Sequence, residues 1–480
     1  MARGEEEYVV VPDGWLSRGE AFVRGDHAQL AVFGGIPGER AKVRLIERGS
    51  HQHRARFVKA DGRGHPDRVE PPCDRYVPCG RCPLMHLNPA GQDRARMGLL
   101  KDAFVAERAP QSFELGAIAR AEGFPVDAAG ASHTIELIAG WSDERHLRLG
   151  VPGKDGRRVV PIPLCHVATE PLRRLMSTTA YHLKALDIYP WEGHRGTFRG
   201  LFARQSATTG EIFVTLVFGR PSNYAKSLAE AIAGQLTDIA GVFAHWNDEP
   251  GPLLFRDPVS GDADVTLVYG RTSLEEDVSG LRIRLGALDP FPGYPKLGVA
   301  AWEGLVDALA PAAGDTVVDL GAAAGAGART LLLAKRAGWA LGIDPHEGVI
   351  RRARENAAAN SISADFVSGP FDEGLEVSRP RLAGRRPIAV VDVGPKGVDA
   401  PTMELLLALD LRRVALVSNN PRALARDIAR LVGGGLRLER LLPYDTAPHT
   451  MFGDTVALLT SADTTAPTLR APRRKTIRAI

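Results

Sequence analysis

The stretch DTVVDLGAAAGAGARTLLLAKRAGWALGID, Asp315–Asp344, decides the fold of the carboxyl-terminal half of this chain. The apolar run TVVDL predicts a buried strand, and the glycine- and alanine-rich segment after it predicts a loop that leads into the helix RTLLLAKRAG. A second short run, WALGID, predicts the next strand. A strand, a glycine-rich turn, a helix and a second strand are typical of a doubly wound α/β sheet.

The same alternation continues towards the carboxyl terminus. Helical patterns such as HEGVIRRARENAAAN and ALARDIARLVGGG alternate with strand patterns such as PIAVVDVG and VALVSNN, and the strand TVALLTS ends the series. We therefore predict a Rossmann-like α/β domain over residues 286–462.

Glycines and strand-ending acids around the quoted stretch predict a cofactor site. Glycines in such a loop let the backbone approach a ligand closely, and an acid about twenty residues later accepts hydrogen bonds from a ribose. The predicted cofactor-binding residues are Asp319, Gly321, Gly325, Gly327, Asp344 and Asp392. NAD is one candidate ligand, but the order of elements after Asp344 favours a class I S-adenosylmethionine (SAM) domain. An α/β domain with an empty crevice is the third alternative.

Length and composition indicate a globular protein of two to four domains. The chain has 480 residues, of which 44% are hydrophobic and 24% charged, enough for packed cores. The net charge of +3 neither demands nor excludes a nucleic-acid partner. No apolar run is long enough to span a bilayer or to form a signal-peptide core, so we expect a cytoplasmic protein without a membrane partner.

All four cysteines are predicted to bind one metal centre. Cys73, Cys79 and Cys82 lie within CDRYVPCGRC, and Cys165 follows the apolar stretch VVPIPL. Clustered cysteines in a cytosolic chain usually bind metal rather than form disulfides. Four thiolates suit either Zn²⁺ or a [4Fe–4S] cluster, and their spacing alone leaves both open.

The segment before the cysteines, residues 1–68, predicts a small barrel of the OB type. Five β-type runs, YVVV, EAFVRG, QLAVFGG, ERAKVRLIERG and RARFVKADG, are separated by turn residues. Basic side chains recur along it, which makes RNA a candidate partner. Phe22 and Phe33 could stack on bases, although core packing is the more ordinary use of each.

Residues 69–285 predict a central α+β domain that includes the cysteines. The stretch FRGLFARQSATTGEIFVTLVFG predicts a β-hairpin. Arg195, Arg199 and Arg204, on or near it, predict either a phosphate-binding surface or a solvated strand face. The last segment, 463–480, is a basic tail, interpreted as a solvated tail with a non-specific RNA contact.

Together these segments resemble the RNA (uracil-5-)methyltransferase family, in particular its iron–sulfur branch that modifies ribosomal RNA. LSRGEAFVRGDHAQLAVFGGIPGERAKVRLIE is similar to its RNA-binding TRAM domain. PCDRYVPCGRCPLMHLNPAGQ and VPIPLC are similar to its cluster-binding segments, which favours [4Fe–4S] over zinc. PRALARDIARL and LLPYDTAPHTMFGDTVALL are similar to its last two motifs. The resemblance implies a SAM-dependent fold and RNA, ribosomal or transfer, as partner of a monomer.

The active-site positions depart from the family pattern. Asn419 stands where the family has the cysteine that attacks uracil C6, so the chain is a divergent member without the nucleophile. Asp454 matches the glutamate that serves as base, and Phe452 replaces a histidine. The motif DVGPKG, 392–397, keeps only the acid and the last glycine, and Lys296 stands near a SAM-holding glutamine.

Three functions follow from these departures. A thiolate is nucleophilic near neutral pH, whereas an amide is not, so ordinary uracil C5 methylation is not expected. The first hypothesis is an RNA-binding homologue that has lost chemistry. The second is an active SAM-dependent RNA methyltransferase that modifies another atom without a covalent adduct, with Asp454 as base and Asn419 or Asn420 hydrogen-bonding the target. The third is a cluster-dependent redox or sensing role.

Overall fold

The computed structural model describes residues 6–25, 27–141, 146–152, 159–193, 195–251, 254–255 and 265–461. Within this part of the chain, a mixed α/β structure is built around sheets of six, seven, two and eight strands. No helix in these ranges is both long and apolar enough to cross a membrane. The basic tail predicted at 463–480 lies outside the described residues.

The first sheet comprises strands β1 to β6. They are β1 (Glu7–Val10), β2 (Gly14–Trp15), β3 (Ala21–Val23), β4 (Gln29–Phe33), β5 (Ala41–Glu47) and β6 (Gln52–Ala60). Their spatial order is β1-β5-β6-β4-β3-β2. The sequence predicted five strands here, and the sixth is β2, whose two residues are too few to show an alternating pattern. Phe33 is buried and packs against Tyr76, with 4.9 Å between ring centroids, so it belongs to the core.

The central region holds a second sheet covered by helices on one face. Its elements are α1 (Tyr76–Cys79), α2 (Pro89–Ala106), β7 (Glu114–Leu115), β8 (Thr134–Trp141), β9 (Leu147–Pro152), β10 (Val159–Pro161), α3 (Glu170–Ala185), β11 (Phe198–Gln205), β12 (Ile212–Phe218), α4 (Tyr224–Gln235), β13 (Ile239–Trp246) and β14 (Val265–Gly270). The sheet order is β10-β9-β8-β11-β12-β13-β14. Strands β11 and β12 pair antiparallel, which confirms the predicted hairpin.

Two arginines of this hairpin do not have the surface position that the sequence suggested. Arg199 is 6% exposed and Arg204 is 5% exposed. Arg199 donates to the carbonyl oxygens of Asn247 at 3.0 Å and Gly251 at 2.8 Å. For these two residues both predictions, a phosphate-binding surface and a solvated strand face, are therefore wrong, because β11 is an inner strand covered on both faces.

The carboxyl-terminal region forms the largest sheet. Its elements are β15 (Leu274–Val278), β16 (Leu281–Leu285), α5 (Pro295–Leu309), β17 (Val317–Leu320), α6 (Ala328–Ala337), β18 (Ala340–Asp344), α7 (Glu347–Ala359), β19 (Ala364–Ser368), α8 (Phe371–Leu382), β20 (Ile388–Val391), α9 (Ala400–Ala408), β21 (Arg413–Ser418), α10 (Pro421–Gly433), β22 (Leu436–Pro443) and β23 (Thr455–Ser461). Strands β15 and β16 pair only with each other, and the rest form the sheet β19-β18-β17-β20-β21-β23-β22-β7.

This sheet is doubly wound, as the sequence predicted. Strands β17 to β21 run parallel, and β23 inserts antiparallel between β21 and β22. Alternating residues of β17 belong to two different cores. Val317 packs on one face of the sheet with α5, α6 and α7, and Val318 packs on the other face with α8, α9 and α10. The strand order reverses between β17 and β20, and at such a switch point the loops leave a crevice beyond the strand ends.

Helix α2 and strand β7 pack with the carboxyl-terminal sheet, although both lie far before it in the sequence. Leu100 and Phe104 of α2 lie in the same core as Leu424 and Ile428 of α10, and β7 pairs parallel with β22 at the sheet edge. The segment that follows Cys82 and contains α2 and β7 is therefore part of the doubly wound region.

Candidate functional site

The glycine loop after β17 is packed against protein atoms. Gly321, Gly325 and Gly327 all have positive φ, between +60° and +90°, a backbone region that favours glycine. A Cβ at Gly321 would lie 2.0 Å from the carbonyl oxygen of Asp392, and one at Gly325 would lie 2.8 Å from the Trp302 ring. The glycines thus allow neighbouring parts of the chain to approach the loop closely. We call the space bordered by this loop and the ends of β17, β18 and β20 the glycine crevice.

An arginine that the sequence analysis did not single out connects two of the predicted acids. Arg329, in the first turn of α6, is 1% exposed. Its Nη2 donates to Asp319 Oδ1 at 2.8 Å and to the carbonyl oxygen of Gly321 at 2.9 Å. Its Nη1 donates to the carboxylate of Asp392, at the end of β20. One guanidinium therefore bridges the ends of β17 and β20.

This ion-pair group is charged and closely hydrogen-bonded. Burial disfavours the charge on Arg329, but Asp319 and Asp392 outweigh that effect and raise the pKa of the guanidinium. Thr330 Oγ1 donates to the second oxygen of Asp319 at 2.7 Å. Both oxygens of Asp319 are therefore engaged by α6.

The acid at the end of β18 is also engaged by its own chain. Asp344 is 4% exposed. Its Oδ2 accepts from the backbone N–H of Ala323 at 3.0 Å, and its Oδ1 accepts from the backbone N–H of His346 at 3.1 Å. The ring Nδ1 of His346 lies 2.7 Å from the same Oδ1. Both oxygens predicted to accept from a ribose therefore have internal partners.

Asp454, the predicted base, lies beside this group. Thr446 Oγ1 donates to Asp454 Oδ2 at 2.8 Å, and the backbone N–H of Asp454 donates to Thr446 Oγ1 at 3.0 Å. Burial raises the pKa of Asp454 to about 6, the nearby Asp392 carboxylate adds to the rise, and Thr446 and Arg329 oppose it. A carboxyl group with such a pKa can exchange protons near neutral pH.

The turn that carries Asn419 has the strand-turn-helix form expected from the sequence. Asn420 caps α10, since its Oδ1 accepts from the backbone N–H groups of Arg422 at 3.1 Å and Ala423 at 3.4 Å. Its Nδ2 donates to the carbonyl oxygen of Pro395 at 2.8 Å. The side chain of Asn420 therefore stabilises the turn and the start of α10. Asn419, between it and β21, is partly exposed.

The four cysteines line one cavity of about 340 Å³, in a different part of the molecule from the Asn419 turn. Burial raises the pKa of Cys73 and Cys79, and that of Cys82 to about 12, and neighbouring thiols including Cys165 add to each rise. Within the described ranges, no three His, Cys, Asp or Glu side chains approach closely enough to form a finished metal site. The donor set is of the type that zinc and iron–sulfur clusters take, so a shared cavity and suitable thiols are present.

The loop that holds Asp454 also borders this cysteine cavity. Pro448 and Thr450 are among the lining residues. His449 between them is buried, with Nδ1 3.0 Å from Gln92 Nε2 and Nε2 2.8 Å from the carbonyl oxygen of Asp127. These two contacts give His449 a structural role.

The sequence signal for Arg329 and His346 was weak. An arginine in a first helical turn usually points to solvent, and a histidine two residues after a strand is an ordinary loop residue. The only distinguishing feature of this stretch is that its loop is rich in alanine. The small side chains leave room for the long side chain of Arg329 to fold back.

Comparison with known proteins shows which proteins this chain resembles. No family model matches the chain. A Gloeobacter violaceus protein described as an uncharacterized RNA methyltransferase is 28% identical over 442 residues, 90% of this chain and 92% of that protein. A Thermosynechococcus vestitus protein with the same description is 28% identical over 464 residues, 94% of this chain and 97% of that protein.

A solved structure agrees in fold. The crystal structure of Pyrococcus abyssi tRNA (uracil-54, C5)-methyltransferase in complex with S-adenosyl-L-homocysteine matches with a TM-score of 0.71 and 20% identity, over 94% of this chain and 100% of that chain. The chain therefore has the fold of SAM-dependent methyltransferases. Its similarity to proteins named RNA methyltransferases extends over most of its length, which confirms the resemblance predicted from the sequence.

Proposed function

We propose that this protein is an RNA-binding homologue of RNA (uracil-5-)methyltransferases that does not carry out ordinary uracil C5 methylation. The observation that carries the proposal is Asn419, which lies in the turn between β21 and α10 where the family resemblance requires a cysteine. The four cysteines line a cavity whose bordering residues do not include this turn.

The chemical reason is the need for a nucleophile. Carbon 5 of uracil attacks a methyl donor only after a group has added to carbon 6, and a thiolate can make that addition. The Asn419 amide has neither an anion nor a basic nitrogen. Neighbouring Asn420 is also an amide and cannot replace the thiolate. The Ser418 hydroxyl oxygen accepts from the backbone N–H of Asn420 at 3.1 Å, and among the described residues no side chain that could act as its base is hydrogen-bonded to it.

Support for RNA binding comes from exposed side chains near the site and on the first sheet. Phe452 is 47% exposed, two residues from Asp454, and exposed aromatic rings stack on unpaired bases. On the first sheet Arg18, Arg24 and Lys59 are exposed. These cations are candidates for phosphate contacts.

Other basic residues of that sheet contribute less than the sequence suggested. Lys42 and Arg44 both pair with Glu7, and Arg40 pairs with Asp61. Such paired cations attract phosphate more weakly, because a nearby carboxylate cancels their field. The proposed RNA surface therefore centres on the exposed cations and Phe452.

The remaining parts of the proposal follow the resemblance. In this proposal residues 1–68 are the TRAM-like unit, 69–285 the cysteine and central unit, and 286–462 the methyltransferase-like unit of a cytoplasmic monomer, with α2 and β7 of the central range packed into the last unit. The shared cavity of the four cysteines supports a [4Fe–4S] cluster, with zinc as the alternative. Such a group would hold the segments around residues 73–82 and 165 together. The RNA is ribosomal or transfer RNA.

A second candidate function is favoured by Asp454. With a pKa of about 6, this carboxyl group could remove a proton from a ring nitrogen, an exocyclic amine or a 2′-hydroxyl during SAM-dependent methylation that needs no covalent adduct. This candidate requires that SAM enters the glycine crevice.

The proposal is tested with full-length protein purified without oxygen. RNA binding is measured by fluorescence anisotropy on ribosomal and transfer RNA fragments at several salt concentrations, and a Phe452→Ala variant is compared with a Val377→Ala variant, altered at another exposed apolar residue. We expect salt-sensitive binding that only the Phe452 variant weakens. In parallel, RNA incubated with protein and SAM is digested and analysed by mass spectrometry. Formation of 5-methyluridine, or no RNA binding by folded protein, would contradict the proposal.

A further inference from the structure

We infer that the glycine crevice is filled by the protein's own side chains, with Arg329 in the place of a cationic ligand, and that this protein does not bind SAM. The inference deepens the proposed function and rests on it in one respect: an RNA-binding homologue can dispense with the crevice, whereas a methyltransferase cannot. Arg329, Asp344 and the glycine loop each support it separately.

The first argument is the charge of Arg329. SAM carries a sulfonium and an ammonium group, and acids at the ends of parallel strands are suited to balance such charges. Here Asp319 and Asp392 are already bridged by one buried guanidinium. A cationic ligand entering the crevice would meet a resident cation that cancels one of the two carboxylate charges, so its attraction to the group is weakened.

The second argument is the position of the arginine. Its Nη2 also donates to the carbonyl oxygen of Gly321 at 2.9 Å, so the guanidinium lies directly beneath the first residue of the glycine loop. Arg329 is 1% exposed, so its guanidinium is almost completely shielded from water. A ligand that used this space would have to expel a buried charge from two carboxylates, which is energetically costly.

The third argument is the internal engagement of Asp344. Its two oxygens accept from the backbone N–H groups of Ala323 and His346 at 3.0 Å and 3.1 Å, and the His346 ring Nδ1 lies 2.7 Å from Oδ1. A carboxylate has about four lone-pair sites, so most of its acceptor capacity is used inside the protein. A ribose hydroxyl would have to compete with these partners at an acid that is 4% exposed.

The fourth argument is what the glycines are used for. In a ligand-binding loop, the missing side chains make room for the ligand. In this chain the corresponding spaces are taken by the backbone of Asp392, by the ring of Trp302 and by Ala353, all within 2.8 Å of an added Cβ. The backbone N–H of Gly325 donates to the carbonyl oxygen of Pro290 at 2.8 Å, which closes the loop from the other side.

The residues present therefore do not fit SAM, although the fold is one that elsewhere accompanies it. If this inference holds, the second candidate function fails, because no methyl donor reaches Asp454.

The decisive experiment is calorimetric titration of the full-length protein, purified without oxygen, with SAM. We expect no saturable binding, which corresponds to a dissociation constant weaker than about 1 mM. A dissociation constant in the micromolar range for the wild type would overturn the inference directly, and this measurement needs no variant.

An Arg329→Met variant tests the assignment to this side chain. It removes the cation while keeping a long apolar stem, and we expect SAM to bind at least about tenfold more tightly than to the wild type. Arg352→Met is the matched control, since Arg352 is also buried in this region but pairs with Asp289, and it should not gain SAM binding.

Folding is checked for each variant by circular dichroism. If the Met variant does not fold, Arg329→Gln, which keeps hydrogen-bond donors towards Asp319, replaces it. A folded variant of Arg329 with no gain, or an equal gain in Arg352→Met, would overturn the assignment. RNA binding measured on the same preparations separates this outcome from a failure of the proposed function, because SAM binding with intact RNA binding contradicts only the inference.

Discussion

The cysteine cavity and the glycine crevice are two predicted cofactor sites whose polar side chains differ in their partners. In the crevice, the acids have internal partners, and Arg329 bridges Asp319 and Asp392. In the cavity, four thiols face a common space of about 340 Å³, and burial raises the pKa of three of them.

This difference teaches that donor residues alone do not identify a working site. A polar group that is buried must find a partner, and the partner can be supplied by the chain or by a ligand. Arg329 supplies it in the crevice. At the cysteines the chain supplies further thiols, which would repel one another once ionised, and the proposed metal centre is a partner of the kind that suits such a set.

The largest effect is expected from breaking the cysteine side of the comparison. Cys82→Ser removes one thiolate and is expected to abolish metal binding, and structural metal sites contribute on the order of 10 kcal/mol of binding free energy. Metal content by mass spectrometry and the melting temperature measure the loss. Ser132→Ala, which lines the same cavity without offering a thiolate, should keep the metal. An unchanged metal content in Cys82→Ser would remove the contrast between the two sites.

The next effect comes from breaking the crevice. Arg329→Met leaves Asp319 and Asp392 without their partner, and removing one member of a buried ion pair costs about 3–5 kcal/mol. Urea denaturation measures the free energy of unfolding. Arg336→Met is the control on the same helix, because Arg336 and Asp307 are both largely exposed and such a pair contributes less than about 1 kcal/mol. Equal losses in both variants would show that the bridge is unimportant.

A smaller effect is expected in the turn between β21 and α10. Asn420→Ala removes the cap of α10 and the bond to the carbonyl oxygen of Pro395, with an expected cost of about 1–2 kcal/mol. Asn419→Ala, one residue earlier, should change stability by less than about 0.5 kcal/mol. The reverse order of these two costs, measured by the same denaturation, would contradict the assignment of Asn420 to the fold.

The last effect concerns Asp454 and depends on pH. Its folded pKa of about 6 exceeds the ordinary value of 3.8, so the folded state binds the proton more tightly than the unfolded state. Stability is therefore lost as pH rises from about 4 to 6. Asp454→Asn should be more stable than the wild type by up to about 3 kcal/mol above pH 6, since each of the roughly two pKa units corresponds to about 1.4 kcal/mol, and equal to it below pH 4. Thermal unfolding across this range measures the difference, and the comparison below pH 4 is the control.

Much of the fold could be predicted from the sequence because its signals are local. Apolar runs of four to eight residues marked the inner strands, and glycines after them marked the turns. Asp319, Asp344 and Asp392 were correctly placed next to the ends of neighbouring strands, since parallel strands bring their carboxyl ends to one edge. The two-residue strands β2 and β7 could not be predicted, because they are too short to show a sequence pattern and are recognised only by their pairing with neighbouring strands.

The state of the site depended on longer-range packing and escaped prediction. Nothing local distinguishes Arg329 from Arg336 seven residues later, yet one is buried between two acids and the other is exposed. Arg199 and Arg204 were misplaced for the same reason. The direction of a long side chain is decided by neighbours that are remote in sequence.

The contact between α2 and the loop before β23 has a consequence for how the chain reaches its native state. The hydrogen bond between Gln92 and His449 joins residues 357 positions apart, and Arg96 donates to the carbonyl oxygens of Ala447 and Thr450. During synthesis from the amino terminus, α2 emerges long before its partners exist. Contacts of such high sequence separation slow folding. Gln92 and Arg96 must therefore wait for the last forty residues, and a nascent chain truncated before residue 445 is expected to leave these two side chains without the partners described here.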